Sequence, residues 1–208
     1  MKKVISGLLK GLGVVFIIIL IGFAFLVISG GPSDPIILTE EEETKQNVEQ
    51  ISLYANKNLT GFNTTAITGE KISSDYFKDY KITMINLWYT GCSPCIAEMP
   101  DIAKLYNTRP EGSNIISICV DTSTEKKAID KSTVKFANKV MKDAGANFLT
   151  LIPDKVLKEV LTDNTTVFPT TIFVDSNGKV VGEPHFGARS AEAYKSAILK
   201  RMSLLEQD

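Results

Sequence analysis

The stretch Ile85-Asn86-Leu87-Trp88-Tyr89-Thr90-Gly91-Cys92-Ser93-Pro94-Cys95-Ile96-Ala97-Glu98-Met99-Pro100 joins an apolar run to a helical pattern through a pair of cysteines two residues apart. Upstream, Ile82 to Tyr89 is nearly continuously apolar, as a strand covered on both faces requires. Downstream, Ile96, Met99, Ala103 and Tyr106 recur at helical spacing, giving a helix from Cys95 to about Tyr106. A second apolar run, Ile115 to Val120, completes a strand-helix-strand unit. The cysteines therefore fall where a strand ends and a helix begins, the position at which reactive groups collect in open α/β sheets.

Outward from this unit the alternation continues. Phe62 to Ile67, a turn at Thr68-Gly69-Glu70 and Lys71 to Ser73 predict a small hairpin. Helices are expected near Thr133 to Ala144, with Val134, Ala137, Val140 and Met141 inward, and at Val156 to Leu161. Thr170 to Asp175, the turn Asn177-Gly178 and Lys179 to Gly182 predict a strand and its antiparallel partner. A last helix runs from Ala191 to about Leu204. The order implies an α/β domain with a mixed sheet flanked by helices, over residues 58–208.

The amino-terminal quarter is different. From Gly11 to Ser33 there is no charge, and Val14 to Ile28 is apolar all round, long enough at 1.5 Å per residue to cross a hydrocarbon core of ~30 Å. Lys2, Lys3 and Lys10 precede it while Asp34 and Glu40 to Glu43 follow, so residues 1–33 are expected to be a single-pass transmembrane helix in the bilayer, amino terminus inside and the rest outside. A cleaved signal peptide is the alternative, although Ser29-Gly30-Gly31 is a poor cleavage site. Residues 34–57 are expected to form a helical spacer: Thr39 and Glu42 make a capping box, Glu41 and Lys45 lie one turn apart, and a thin apolar face of Val48, Ile51, Tyr54 and Ala55 suits a solvated stalk.

Composition limits the function. Of 208 residues 44% are hydrophobic and 23% charged, which excludes a disordered chain and a disulfide-dense miniprotein. Beyond residue 33 there remain 20 basic against 24 acidic residues, so no nucleic-acid partner is expected.

At the mouth of a helix, backbone N–H groups and the positive end of the dipole favour a thiolate, which makes Cys92 a candidate nucleophile. Cys95, one turn on, is placed to resolve a mixed disulfide on Cys92. Pro94 sits in the first turn, where its missing N–H costs nothing. A C-x-x-C pair also begins many zinc sites, and Cys92, Cys95, Cys119 and the sole histidine, His185, would formally suffice. Cys119 lies inside an apolar strand and reads as a buried core residue, and His185, in a Gly/Pro-containing segment, as a surface residue without a role.

Those residues resemble the TlpA/ResA-like branch of the thioredoxin fold, extracytoplasmic thiol-disulfide oxidoreductases of bacteria, over roughly Leu59 to Met202. Ile85 to Pro100 is similar to the branch's strand, active-site turn and helix, with Pro100 at the position of the bending proline. Phe168-Pro169-Thr170-Thr171-Ile172-Phe173-Val174-Asp175 is similar to its second signature. The resemblance implies a cis Phe168–Pro169 bond against the disulfide, with Pro169, Phe168 and Trp88 at the substrate-binding face. It implies a redox-active Cys92–Cys95 disulfide, no cofactor and no metal. Glu98 matches a glutamate of this branch and becomes a candidate proton acceptor for Cys95, while Asn86 stands where cytoplasmic thioredoxins carry a buried aspartate. The implied activity is reduction of disulfides in exported proteins, apocytochrome c among them, fed by a membrane electron donor. Three alternatives remain. A copper- or zinc-binding metallochaperone module without oxidoreductase activity usually has three residues between its cysteines. A peroxidase needs a proline four residues before Thr90, and residues 86–89 contain none. A purely structural anchored domain would have no use for the pair.

Overall fold

The computed structural model describes residues 48–124 and 128–206. The expected membrane segment at 1–33 and most of the 34–57 spacer lie outside the described residues, and among those described no helix is long and apolar enough to cross a membrane.

Two short strands, β1 (Asn63–Thr65) and β2 (Lys71–Ser73), form the expected hairpin. The main sheet contains β3 (Ile82–Trp88), β4 (Ser113–Cys119), β5 (Thr150–Leu151), β6 (Thr170–Asp175) and β7 (His185–Phe186), in the order β5-β4-β3-β6-β7. It is mixed: β4 lies parallel to β3 and β5, whereas β6 is antiparallel to β3 and β7. Helices α1 (Ser93–Asn107), α2 (Lys131–Asp143), α3 (Lys155–Val160) and α4 (Ala191–Leu205) connect and cover it.

The continuous apolarity of β3 and β4 follows from burial on both faces. Ile82, Met84, Trp88, Ile115 and Cys119 belong to one core with Met99 and Ile102 of α1, Ala137 and Val140 of α2, and Tyr194 and Ile198 of α4. Ile85, Leu87, Ile116 and Ile118, the alternate positions, pack on the other side with Leu59, Phe62, Phe77, Leu157 and Leu161. Side-chain caps fix the helix starts: Asp130 accepts from the N–H groups of Ser132 and Thr133, and Ser190 from that of Ala193.

Three expectations need correction. Lys179 to Gly182 is not a strand; Val180 makes a single bridge to Val174, and the chain turns away at Gly182 (φ 69) before His185–Phe186 pairs with β6. His185 is accordingly a half-buried sheet residue with its ring edge against Phe173, and burial, reinforced by Arg201, Arg189 and Lys200, pushes its pKa down to about 4. At the other end of the chain, the helix expected through about Lys57 stops at residue 52. Tyr54 then turns inward, 2% exposed, and its hydroxyl shares a buried 2.9 Å hydrogen bond with Thr165 Oγ1. The carboxyl end of the presumed stalk thus belongs to the domain core. Tyr54→Ala should lower unfolding stability by about 3 kcal/mol or more, measured by urea denaturation; an exposed stalk residue would give a change within about 0.5 kcal/mol.

Candidate active site

Cys92 is the N-cap of α1 and is joined to Cys95 by a disulfide, with Cα atoms 5.3 Å apart. Its sulfur also accepts the Cys95 N–H at 3.3 Å, so one of the unpaired donors of the helix start points at the sulfur. Cys95 is fully buried and Cys92 is 3% exposed, which leaves Cys92 as the accessible sulfur. Pro94 lies in the first turn as expected, and Pro100 lies inside the helix, where it has no N–H for the carbonyl of Ile96.

The turn before Cys92 is anchored by a residue the sequence did not single out. Asp121, just past β4, accepts the backbone N–H of Thr90 at 3.0 Å and its hydroxyl at 2.5 Å. The Cys119 thiol donates to the same carboxylate at 3.2 Å; burial, followed by the Asp121 charge, pushes that thiol well above its ordinary range. Cys119 is therefore an inert core thiol, as its apolar strand suggested.

The second signature arrives from β6. The Phe168–Pro169 peptide is cis, and pairing of Thr170 with Leu87 sets Pro169 at the end of the sheet where β3 runs into the Cys92 turn. Phe168 is half-buried and meets Tyr89 edge-to-face, with ring centroids 5.2 Å apart. Tyr89 had not been read as a site residue. Its ring lies over Gly91, where an added Cβ would come within 3.1 Å of it. Trp88 requires the opposite correction. It is fully buried and donates its indole N–H inward to Ser117 Oγ at 3.2 Å, so it supports the turn from the core and has no surface for a substrate.

Glu98, 3% exposed, lies three residues beyond Cys95 on α1. Its Oε1 accepts from Asn86 Nδ2 at 2.8 Å; its Oε2 accepts from the Tyr194 hydroxyl at 2.9 Å and the Arg189 N–H at 3.0 Å. Burial raises its pKa, and the three donors only partly oppose that rise. A carboxyl whose pKa is higher in the fold than in the unfolded chain, ~4.3, contributes stability that is present below the unfolded value and is lost as pH rises through the folded one. The stability of the oxidised protein should therefore fall across that window, and Glu98→Gln should remove this part of the fall. Urea midpoints followed against pH test it; parallel curves for the two proteins would contradict the assignment.

Among the described residues no group of three or more His, Cys, Asp or Glu side chains is placed to hold a metal ion. The four residues that formally made a zinc set go elsewhere: two sulfurs bond each other, Cys119 turns to Asp121 and His185 packs on Phe173.

Comparison with known proteins agrees with this geometry. Residues 55–185 match the Redoxin family. The thiol-disulfide oxidoreductase ResA of Bacillus anthracis is 30% identical over 145 residues, 69% of this chain and 76% of that protein. The thioredoxin-like protein YneN of Bacillus subtilis is 27% identical over 150 residues, 72% of this chain and 82% of that one. Among solved structures, a thiol:disulfide interchange protein of Chlorobium tepidum TLS superposes with a TM-score of 0.58 at 20% identity, covering 71% of this chain and 97% of that one. A DsbF homologue from Corynebacterium diphtheriae gives 0.56 at 18% identity, covering 82% and 96%; both show the shared fold. A cysteine pair at a helix mouth, a cis proline opposite it and a match over most of the folded domain lead to one placement: the chain belongs to the Redoxin family, in its TlpA/ResA-like branch of thiol-disulfide oxidoreductases.

Proposed function

We propose that the protein is a membrane-tethered reductase of disulfides in exported proteins, working through the Cys92/Cys95 dithiol. The observation that carries the reading is the Cys92 sulfur at the N-cap of α1, bonded to a fully buried Cys95 and receiving its N–H. In the reduced protein the same helix mouth would stabilise a Cys92 thiolate. That thiolate attacks one sulfur of a client disulfide, and the other sulfur leaves as a thiolate. Cys95, deprotonated with Glu98 as acceptor, then attacks Cys92 and expels the client's second sulfur. The client gains two electrons and the protein is left with the Cys92–Cys95 bond; a membrane electron donor must supply two electrons to reset it.

Substrate contact is assigned to the surface around the pair. Pro169 is itself buried with its carbonyl taken by the Gly187 N–H at 2.8 Å, and the Val167 carbonyl accepts the Thr170 hydroxyl at 2.7 Å, so a client would meet this loop chiefly through the side chains of Val167 and Phe168. Phe168 and Tyr89 supply apolar surface there without a demand for one side chain, which suits varied clients such as apocytochromes c. The tether and the outward-facing location rest on the uncharged run Gly11 to Ser33 and the lysines ahead of it.

Direction is tested by equilibrating the pair with glutathione. A reductase should have a potential in the range of thioredoxin, about −270 mV. A value near −120 mV, that of a strong oxidant, would overturn the proposed direction while leaving the exchange chemistry in place.

A further inference from the structure

We propose that Tyr194 is a positioning residue for Glu98, holding its ionised carboxylate through a hydroxyl that Thr171 orients within a closed hydrogen-bonded ring. This rests on the reading of Glu98 as proton acceptor for Cys95.

The ring has four members from four elements. Asn86 Nδ2 on β3 donates to Glu98 Oε1 at 2.8 Å and to Thr171 Oγ1 on β6 at 3.2 Å. Thr171 Oγ1 donates to the Tyr194 hydroxyl on α4 at 3.2 Å, and that hydroxyl donates to Glu98 Oε2 at 2.9 Å. All four side chains are buried: Asn86, Thr171 and Tyr194 at 0% and Glu98 at 3% exposed. In so enclosed a polar cluster each donor left without an acceptor is costly.

The two halves differ in what they can do. An amide NH2 donates and cannot accept, so the Asn86 side of the ring is fixed as donor to both Glu98 Oε1 and Thr171 Oγ1. Asn86 holds this orientation although its own Oδ1 is left buried without a partner. A hydroxyl both donates and accepts. If Glu98 is protonated at Oε2, the Tyr194 hydroxyl can turn to accept that hydrogen bond, but its own hydrogen then meets a Thr171 Oγ1 that already receives Asn86 Nδ2, and the Thr171 hydrogen loses its acceptor within the ring. Every hydroxyl and amide donor of the ring is therefore matched only around the ionised carboxylate. The other charged groups near the carboxyl are few. Asp101 on its own helix acts on Glu98, and the Arg189 side chain, directed to the Phe186 carbonyl at 3.4 Å, acts on Tyr194.

Removing the Tyr194 hydroxyl takes a charge-assisted bond from the ionised carboxylate, which loses more than the neutral acid does. The probe is the Glu98 carboxyl carbon, followed by NMR titration of oxidised, carboxyl-labelled full chain. In Tyr194→Phe the Glu98 midpoint should rise by about one to two pH units. Thr171→Val, which removes the group that orients the phenol, should raise it by less; it decides the question with the same sign should the phenylalanine variant not fold. An unchanged or lowered midpoint overturns the proposal. So does a shift in the pH profile of disulfide exchange that persists when Tyr194→Phe is combined with Glu98→Gln, because Tyr194 would then not act through Glu98. If the wild-type protein shows no exchange, the functional reading falls, while the carboxyl titration still decides the ring.

Discussion

Cys92→Ser is expected to reduce insulin disulfide reduction to the rate of the uncatalysed reaction. Cys95→Ser is expected to accumulate a covalent adduct between Cys92 and its client. The asymmetry follows from burial and position. Cys92 is the sulfur with exposure, at the N-cap, and is the only one an incoming disulfide can reach; Cys95 is sealed at 0%. Without Cys92 there is no attack. Without Cys95 attack proceeds but nothing resolves it, so the mixed disulfide remains. Serine is close to cysteine in size, and the N-cap tolerates it well, so the fold should survive the first change. Non-reducing electrophoresis of Cys95→Ser recovered from cells reads the trapped species directly. Equal adduct formation by Cys92→Ser would reverse the assigned roles, and an absence of adducts from a functioning cell would count against protein clients.

The second large effect concerns Trp88. Its fully buried indole, with an inward hydrogen bond to Ser117, makes Trp88→Ala a cavity mutation expected to cost about 3–5 kcal/mol. Trp88→Phe keeps most of the volume and should cost less. Both are read as urea midpoints of the oxidised protein. A substrate-contact residue would behave the other way, with stability unchanged and client affinity lowered, and that result would contradict the core placement.

Trp88 also illustrates what the sequence could and could not disclose. Ile82 to Trp88 is apolar at almost every position, which made the strand and its burial on both faces legible. The same uniformity hides which parity points where, because alternation is the signal by which a face is read. The cysteine pair, the helix behind it and the order of strands and helices were legible because each depends on neighbours within a few residues. The environment of Glu98 was not: its partners Arg189 and Tyr194 lie 91 and 96 positions away. The edge strand His185–Phe186 is two residues long, too short to show a period, so the turn chemistry of Asn177-Gly178 pointed instead to the residues immediately following. Tyr54 looked like part of a thin helical stripe because the groups that bury it are distant in sequence, among them Thr165, 111 residues on, and Phe186.

Asp121 and Tyr89 mark how a local motif acquires distant support. Asp121 pins the Thr90 backbone ahead of Cys92, and Tyr89 spans from Gly91 to Phe168, so the Cys92 turn and the cis-proline loop are held as one surface. That arrangement pre-organises the accessible sulfur against the client-binding edge instead of leaving it on a loop.

The account stands on the helix mouth activating Cys92, and alkylation of the reduced protein with iodoacetamide as a function of pH measures that activation. The predicted result is a Cys92 reaction whose half-point lies clearly below the ~8.5 of a free cysteine thiol; a half-point at or above that value would contradict it.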